Sequence, residues 1–433
     1  MITIFTETTS PRLQYAAQFI FGQCANIPFE IVSSKDNVVN KENVLCYGIK
    51  EMDCGFTVFQ HEFMANTQEP NAAEFEKITE NEWPFFKAEK DDWDENIDVF
   101  SYCFFVLSRY EEYVNKGNDD YGRFGAEQSI FNKQDLIYEP HLDRLVYNFL
   151  NRISDIFPEF NFTPKYDGIE IGFDIDHSWK YCEKGFIRNA GGLLKDVFCL
   201  KWRNVKDRIA ILSKIKADPY DSFDEILKLG KKVKICFFIL YGAYNRLDIN
   251  ISRKNKRFKK LIQNLSKEAK IGIHPSWASN KDISILKYEK TALESVINEN
   301  ISSSRQHFLI LKFPETYQNL LEIGIKEDNS LGFADDIGFR AGTAHSFYWF
   351  DFKTNNSTDL LIKPFVAMDV SMRDYRKFSA KEAFQKLGEI NSIVHKYGGT
   401  FRLVWHNSSY IETEDWQDWK KELELFVSKH TNA

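Results

Sequence analysis

The sequence predicts a two-part α/β protein, with a smaller α/β unit over residues 1–160 and a longer β/α unit over 165–430. Three observations lead there. The pattern changes character near residues 155–168. After Pro164, short apolar runs alternate with amphipathic segments, as in parallel β/α units. The 433 residues allow two to three domains at about 150 residues each.

In the first unit, ITIF (2–5), FEIV (29–32) and NVLCYGI (43–49) read as short strands. A helical pattern runs through 97–114. A cleaner one follows, with Leu142, Leu145, Val146, Phe149, Leu150 and Ile153 on one face. Between them, YVNKGNDDYGRF carries turn residues, and its Asp119, Asp120 and Arg123 read as a solvated loop. No catalytic constellation stands out in this unit.

The second unit offers seven candidate strands, at 168–173, 233–240, 270–273, 304–308, 330–333, 361–367 and 400–405. Helical segments at 221–229, 255–267, 289–297, 316–322 and 381–396 fit between them. This suits either a barrel or an open doubly wound sheet. No G-x-G-x-x-G or P-loop follows a strand, so dinucleotide binding and ATP hydrolysis lose support.

Composition narrows the classes further. With 43% hydrophobic and 27% charged residues, the chain is an ordinary globular one. A net charge of −7, from 56 basic and 63 acidic residues, disfavours a nucleic-acid partner. Seven cysteines without a C-x-x-C pair argue against a disulfide scaffold or a Cys-based zinc knuckle. Cys103 and Cys236 lie in apolar runs and read as core. The N-terminal residues show no basic segment followed by an apolar one, so no signal peptide is expected. No run approaches the roughly 18 apolar residues of a membrane span. The expectation is a soluble protein of a reducing cytoplasm.

The candidate strands share one property: nearly every one ends in a residue capable of chemistry. The first ends in IGFDIDH (Asp174, Asp176, His177), the third in IGIHPS (His274) and the fourth in SRQH (His307). GFRAG with Arg340 follows the fifth, the sixth ends in AMD (Asp369), and the last in LVWHN (His406). In a β/α barrel these ends share the face that holds the active site. Charges just past apolar strands are costly unless paired, metal-bound or solvated. Asp174 and Asp176, two apart, repel unless a cation intervenes, which suits one metal ligand and one general base. His274 and His307 with a carboxylate would make a three-ligand site for a catalytic divalent metal. His406 could be a general acid, Arg340 could pair with a carboxylate, and Asp369 could orient a histidine.

At these residues the sequence resembles the NodB-type polysaccharide deacetylases, carbohydrate esterase family 4, over roughly residues 165–410. The resemblance implies a distorted (β/α)7 NodB-like barrel behind the N-terminal α/β unit. F-D-I-D resembles the first motif in its D-x-D form, which implies Asp174 as base and Asp176 as metal ligand. H-P-S-W-A resembles the second, with His274 as ligand; Ala278 stands where a second His is usual, and His307 is taken as its replacement. Arg340 corresponds to the arginine that pairs with the base, without the usual R-x-P-Y. His406 corresponds to the acid of the last motif, and Asp369 to the residue that orients it. The phrases LSRYEEY, RQHFL, FPETY, LGFADDIGFRAGT and LVWHN resemble a bacterial subgroup in which an α/β domain precedes a divergent barrel.

The implied activity is metal-assisted removal of N-acetyl groups from a carbohydrate, an envelope or surface glycan or its precursor, with zinc as the first choice of divalent metal. Two other readings stand beside it: a catalytically divergent or inactive carbohydrate-binding relative, and an amidohydrolase acting on a small ureide or amide. Residues 179–216 add a basic segment, with ten Lys and Arg against three acids. It reads either as a helical lid with its apolar face on the barrel, or as an interfacial segment touching anionic lipid at the inner face of the membrane.

Overall fold

Two separate sheets organise the chain. The computed structural model describes residues 1–38, 43–50, 54–80 and 83–431. The first sheet holds β1 (Ile2–Phe5), β2 (Phe29–Val32), β3 (Val44–Tyr47) and β4 (Phe56–Val58), all paired in parallel in the order β2-β1-β3-β4. The three expected strands are present. The fourth has only three residues, too few to show a period. Cys46 of β3 and Cys54, two residues before β4, form a disulfide with their Cα atoms 6.0 Å apart.

Around this sheet lie α1 (Pro11–Ala17), α2 (Ala72–Thr79), α3 (Val99–Leu107), α4 (Tyr110–Val114) and α5 (His141–Ile156). Ser10 caps α1 by accepting from the Leu13 N–H, with Pro11 at the first helical position. All nine residues of α3 are buried, as befits a helix that is apolar all round. The expected helix over 97–114 is broken at Arg109, whose φ of 57° ends α3 and starts α4. On α5 the predicted face is buried at Leu142, Val146, Phe149, Leu150 and Ile153.

The second sheet holds β5 (Tyr166–Ile175), β6 (Lys234–Ile239), β7 (Lys270–Ile273), β8 (Ser303–Ser304), β9 (Glu327–Asp328), β10 (Phe347–Asp351), β11 (Asn356–Ile362), β12 (Ala367–Met368) and β13 (Gly399–His406). Their order is β10-β11-β9-β8-β7-β6-β5-β13-β12, and only the β10–β11 pair is antiparallel. The sheet curls into a distorted half-barrel. Its connections carry α6 (Gly185–Phe198), α7 (Trp202–Leu212), α8 (Phe223–Leu229), α9 (Lys256–Leu265), α10 (Ile283–Ile297), α11 (Glu315–Glu322) and α12 (Ala380–Tyr397), and α13 (Trp419–Thr431) follows the last strand. A capping box of Ser379 and Glu382 opens α12. Among the described residues, no helix is long and apolar enough to cross a membrane.

Three strand expectations shift. Residues 330–333 carry no ladder, because Asp328 accepts from the Ser330 N–H and hydroxyl and turns the chain after β9. The expected run over 361–367 splits at Pro364, which has no N–H to donate. The strand expected over 304–308 ends at Ser304, where Phe308 and Leu309 then take positive φ.

The two sheets share one continuous hydrophobic core. The Tyr15 hydroxyl donates to the Tyr348 carbonyl at 2.6 Å, and the rings of Phe104 and Phe350 meet edge to face at 4.8 Å. At the centre of the contact, Glu112 of α4 is buried between Arg109 and Arg340. Burial works against its carboxylate, but Arg340 and Arg109 outweigh it and hold the pKa below the ordinary value. Removing one partner from a buried pair costs about 3–5 kcal/mol, because the remaining charge is uncompensated. Glu112→Gln should therefore lower stability by that amount in urea titrations, with Arg109 and Arg340 left facing each other. A change below about 1 kcal/mol would mean the cluster is effectively solvated.

Candidate metal centre

The site lies where the parallel strands of the second sheet end. Asp174 is in register with His406 of β13 on one side and Phe238 of β6 on the other. Asp176 follows the end of β5, His274 follows β7, Arg305 and His307 follow β8, and Asp369 follows β12. All therefore sit on the carboxyl-end face of the sheet, where a β/α barrel places its chemistry. Asp174, Asp176, His274, His307 and His406 line a cavity of about 250 Å³ there.

Asp176, His274 and His307 converge: one ligand atom from each lies within 4.8 Å of the others. His274 Nε2 is 3.2 Å and His307 Nε2 is 3.7 Å from Asp176 Oδ1. That oxygen is buried and has no hydrogen-bond partner. Each imidazole is aimed by a bond on its other nitrogen. His274 Nδ1 lies 2.6 Å from the Arg305 carbonyl, and His307 Nδ1 lies 2.8 Å from Asp248 Oδ1. With Nδ1–H donating to these acceptors, both Nε2 lone pairs face the cavity. Such outer bonds fix the tautomer and orientation of metal-binding histidines. An unpartnered buried carboxylate oxygen facing two imidazole lone pairs fits a divalent cation.

Electrostatics agree. Burial pushes the Asp176 carboxyl up, but His307, His274 and His406 outweigh it and hold the pKa well below the ordinary value. Burial works against the His274 imidazolium, yet Asp174, Asp176 and the Arg305 carbonyl raise its pKa. His177 is different. Its pKa falls to about 4, chiefly by burial, and its ring lies outside the three-residue group.

Two further pairs flank the group. Arg305 Nη1 donates to Asp174 Oδ1 at 2.9 Å, while its Nε donates to the Asn329 carbonyl. The guanidinium stacks 4.3 Å from the Phe238 ring centroid. It crosses over Gly172, where a Cβ would stand 2.3 Å from Arg305 Nη1, so only glycine allows the approach. His406 Nδ1 is 2.8 Å from Asp369 Oδ1, and the His406 N–H donates to Asp369 Oδ2. Ser409 adds a third bond to Asp369. Burial lowers the His406 pKa, but Asp369 first, then Asp176 and Asp174, push it up to about 10.

Arg340 corrects the expectation from sequence. It does not pair with Asp174. Its guanidinium donates to Glu112 and to the Gly332 carbonyl, and Arg305 takes the place beside Asp174. The loop of Asp119 and Arg123 is not a free solvated one either. Arg123 is buried, bonded to Asp119, to the Phe308 carbonyl and to the Tyr375 hydroxyl, while Tyr121 stacks on Phe308 at 5.0 Å. Tyr121, Arg123 and Tyr375 thus wall the cavity. Sequence reading missed Arg305, although it stands in the SRQH run. It missed Asp248 because β6 had no chemical residue at its end, and Asp248 lies in the long loop beyond.

Residues 2–158 match a family of unknown function (DUF7033). No curated protein matches the sequence. Among solved structures, the chain is similar to one from Mycobacterium smegmatis assigned as a polysaccharide deacetylase. The two are 16% identical with a TM-score of 0.40, over 62% of this chain and 85% of that one. A polysaccharide deacetylase from Bacillus cereus is 10% identical at a TM-score of 0.31, over 62% and 88% of the two chains. An allantoinase is 10% identical at 0.40, over 61% and 85%.

Calorimetric titration of metal-free protein with Zn²⁺ checks the three-residue group. Asp176→Asn should abolish tight binding, and Asp248→Asn should weaken it about 10–100-fold by freeing His307. A cation competes with a proton for His274 Nε2, and Asp174 and Asp176 favour the proton. Affinity should therefore fall as pH drops through the raised His274 pKa, with proton release on binding. Affinity that stays flat from mildly acidic to mildly alkaline buffer would exclude His274 as a ligand.

Proposed function

We propose that the chain is a metal-dependent hydrolase that removes N-acetyl groups from a carbohydrate, with Asp176, His274 and His307 holding zinc. The observation that carries this is the unpartnered Asp176 Oδ1 facing two aimed imidazoles, with an acid–base pair on either flank. Two imidazoles and one carboxylate with an open position suit catalytic zinc. A bound cation supplies polarisation of the acetyl carbonyl and a lowered pKa for the attacking water.

The chain's own residues do the rest. Asp174 is the general base: Arg305 engages Oδ1, and Oδ2 lies 3.9 Å from His274 Nε2, on the side of the metal group. His406 is the general acid. Asp369 holds Nδ1 and favours the imidazolium, whose Nε2–H faces the cavity, 3.6 Å from Asp176 Oδ2. A pKa raised to about 10 keeps that proton in place at neutral pH, ready for the leaving amine. Arg123 and the Tyr121 and Tyr375 rings close the outer wall.

The cavity volume favours a second substrate class as well. About 250 Å³ is less than the roughly 300–1,000 Å³ of pockets that enclose drug-sized ligands. It would admit an acetamido group with part of its sugar, or enclose a small amide or ureide whole. Acetate release from N-acetylated glycans, set against hydrolysis of cyclic amides, separates the two. Metal-loaded protein inert on both panels would leave only a binding role.

Asp174→Asn should abolish turnover and keep the metal. Equal metal loss in Asp174→Asn and Asp176→Asn, by elemental analysis of folded protein, would refute the division of roles. His406→Ala should slow N-acetyl substrates about 10²–10⁴-fold, the range of a lost general acid. An activated acetyl ester has a good leaving group and should lose far less. Rates that fall equally on both substrates would remove His406 from the acid role.

A further inference from the structure

The α6–α7 hairpin is built the wrong way round for a helix pair in water. Most of its inward contacts are polar, with Val205 and Ile211 of α7 as the buried apolar residues. Asp218 accepts from the N–H groups of Lys180, Tyr181 and Cys182, where the hairpin leaves the body. Asn189 donates to the Tyr181 carbonyl and accepts from Arg208, and Arg208 also pairs with Asp196 at 2.8 Å. Arg188 donates to the Ile249 and Asn250 carbonyls, in the loop that carries Asp248. The outward face is apolar. Phe186 is 87% exposed, Ile187 86%, Phe198 84% and Ile215 82%, with Leu194 and Trp202 also exposed. Ile187, Leu194 and Phe198 fall at i, i+7 and i+11, one face of α6. A surface helix ordinarily turns such a stripe toward the core. Leu194, Phe198, Leu200 and Trp202 thus face away from the barrel, against the lid reading, while Val205 and Ile211 are buried.

The charge around this face has one sign. Residues 179–216 hold ten basic and three acidic side chains, in a chain of net charge −7. Asp196 and Asp207 are engaged by Arg208 and Lys216. Lys195, Lys201, Lys206 and Lys214 are exposed beside the apolar residues. We propose that the α6–α7 hairpin lies on an anionic lipid surface, with Phe186, Ile187, Phe198 and Trp202 entering the headgroup boundary and the lysines meeting the headgroups. An amphipathic helical element with aromatic and aliphatic residues on one side and lysines around them is the chemistry of interfacial binding. A second copy of the chain fits less well, because self-docking would press two basic faces together. The hairpin leaves the carboxyl end of β5, so it belongs to the same end of the sheet as the metal group.

The test uses the full chain and vesicles of phosphatidylcholine, with and without phosphatidylglycerol. Co-sedimentation should show binding to the anionic vesicles alone, weakening as salt rises. Phe186→Ser with Phe198→Ser, and separately Lys201→Glu with Lys206→Glu, should each cut partitioning about tenfold or more. All four positions are peripheral to the fold, and unchanged zinc uptake reports that the variants are intact. A second measurement needs no stability assumption: anionic vesicles should blue-shift the emission of the wild type, and Trp202→Phe should remove that shift. No binding to anionic vesicles at low salt, equal binding to neutral ones, or apolar variants that bind like wild type would each overturn the proposal. So would a wild-type dimer in sedimentation velocity that ignores vesicles and dissociates on Phe198→Ser, which would assign the face to self-association.

Discussion

Two carboxylates side by side at the end of β5, one buried and one half-buried, set the terms for the rest of the molecule. Asp174 is almost fully buried, and Asp176 Oδ1 has no hydrogen-bond partner. Anions two residues apart and largely out of water are tolerable only with compensating charge close by. The sheet order supplies it. β5 stands between β6 and β13, with β7 and β8 next, so the ends of β7, β8 and β13 deliver His274, Arg305, His307 and His406 to one point. Gly172 makes room for the guanidinium, and Asp248 and Asp369 aim the imidazoles. A fold with these strands in another order would leave the two aspartates stranded.

How much of this was legible in the sequence follows from what has a period and what does not. Long apolar strands such as β5, β6 and β13 announce themselves, and a charge placed just beyond them stands out. Hence Asp174, Asp176, His274, His307, Asp369 and His406 could be named, and Asp176, His274 and His307 were grouped together. Ladders of two residues, as in β8, β9 and β12, have no period to read. Pairings between distant arginines and carboxylates are equally silent. Arg305 lies inside one candidate strand and Arg340 follows another, and only the arrival of Glu112 from α4 decides which of them faces Asp174. The orientation of the α6–α7 hairpin was likewise open, since an apolar stripe does not say which side it faces.

The first unit does more than stand in front of the second. Its loop carrying Asp119, Tyr121 and Arg123 reaches across to Phe308 and Tyr375 and forms part of the cavity wall. Access to the Asp176, His274 and His307 group is therefore shaped by residues far from it in sequence. Selectivity among substrates would be sought first in that loop, where Tyr121 and Arg123 present an aromatic face and a guanidinium to whatever enters. The residues 2–158 that match a family of unknown function include this loop.

The shared core has a consequence for synthesis. The face of α1 and α3 that carries Tyr15 and Phe104 is covered by Tyr348 and Phe350 of β10, and the hairpin that holds β10 ends only at Ile362. A ribosome adding about 5–20 residues per second leaves this face without its cover for on the order of 10–40 seconds after α5 emerges. During that interval the nascent chain displays aromatic surface that mature protein hides. Its yield in a foreign host would then depend on translation speed and on chaperones that hold growing chains, more than on the stability of the finished fold.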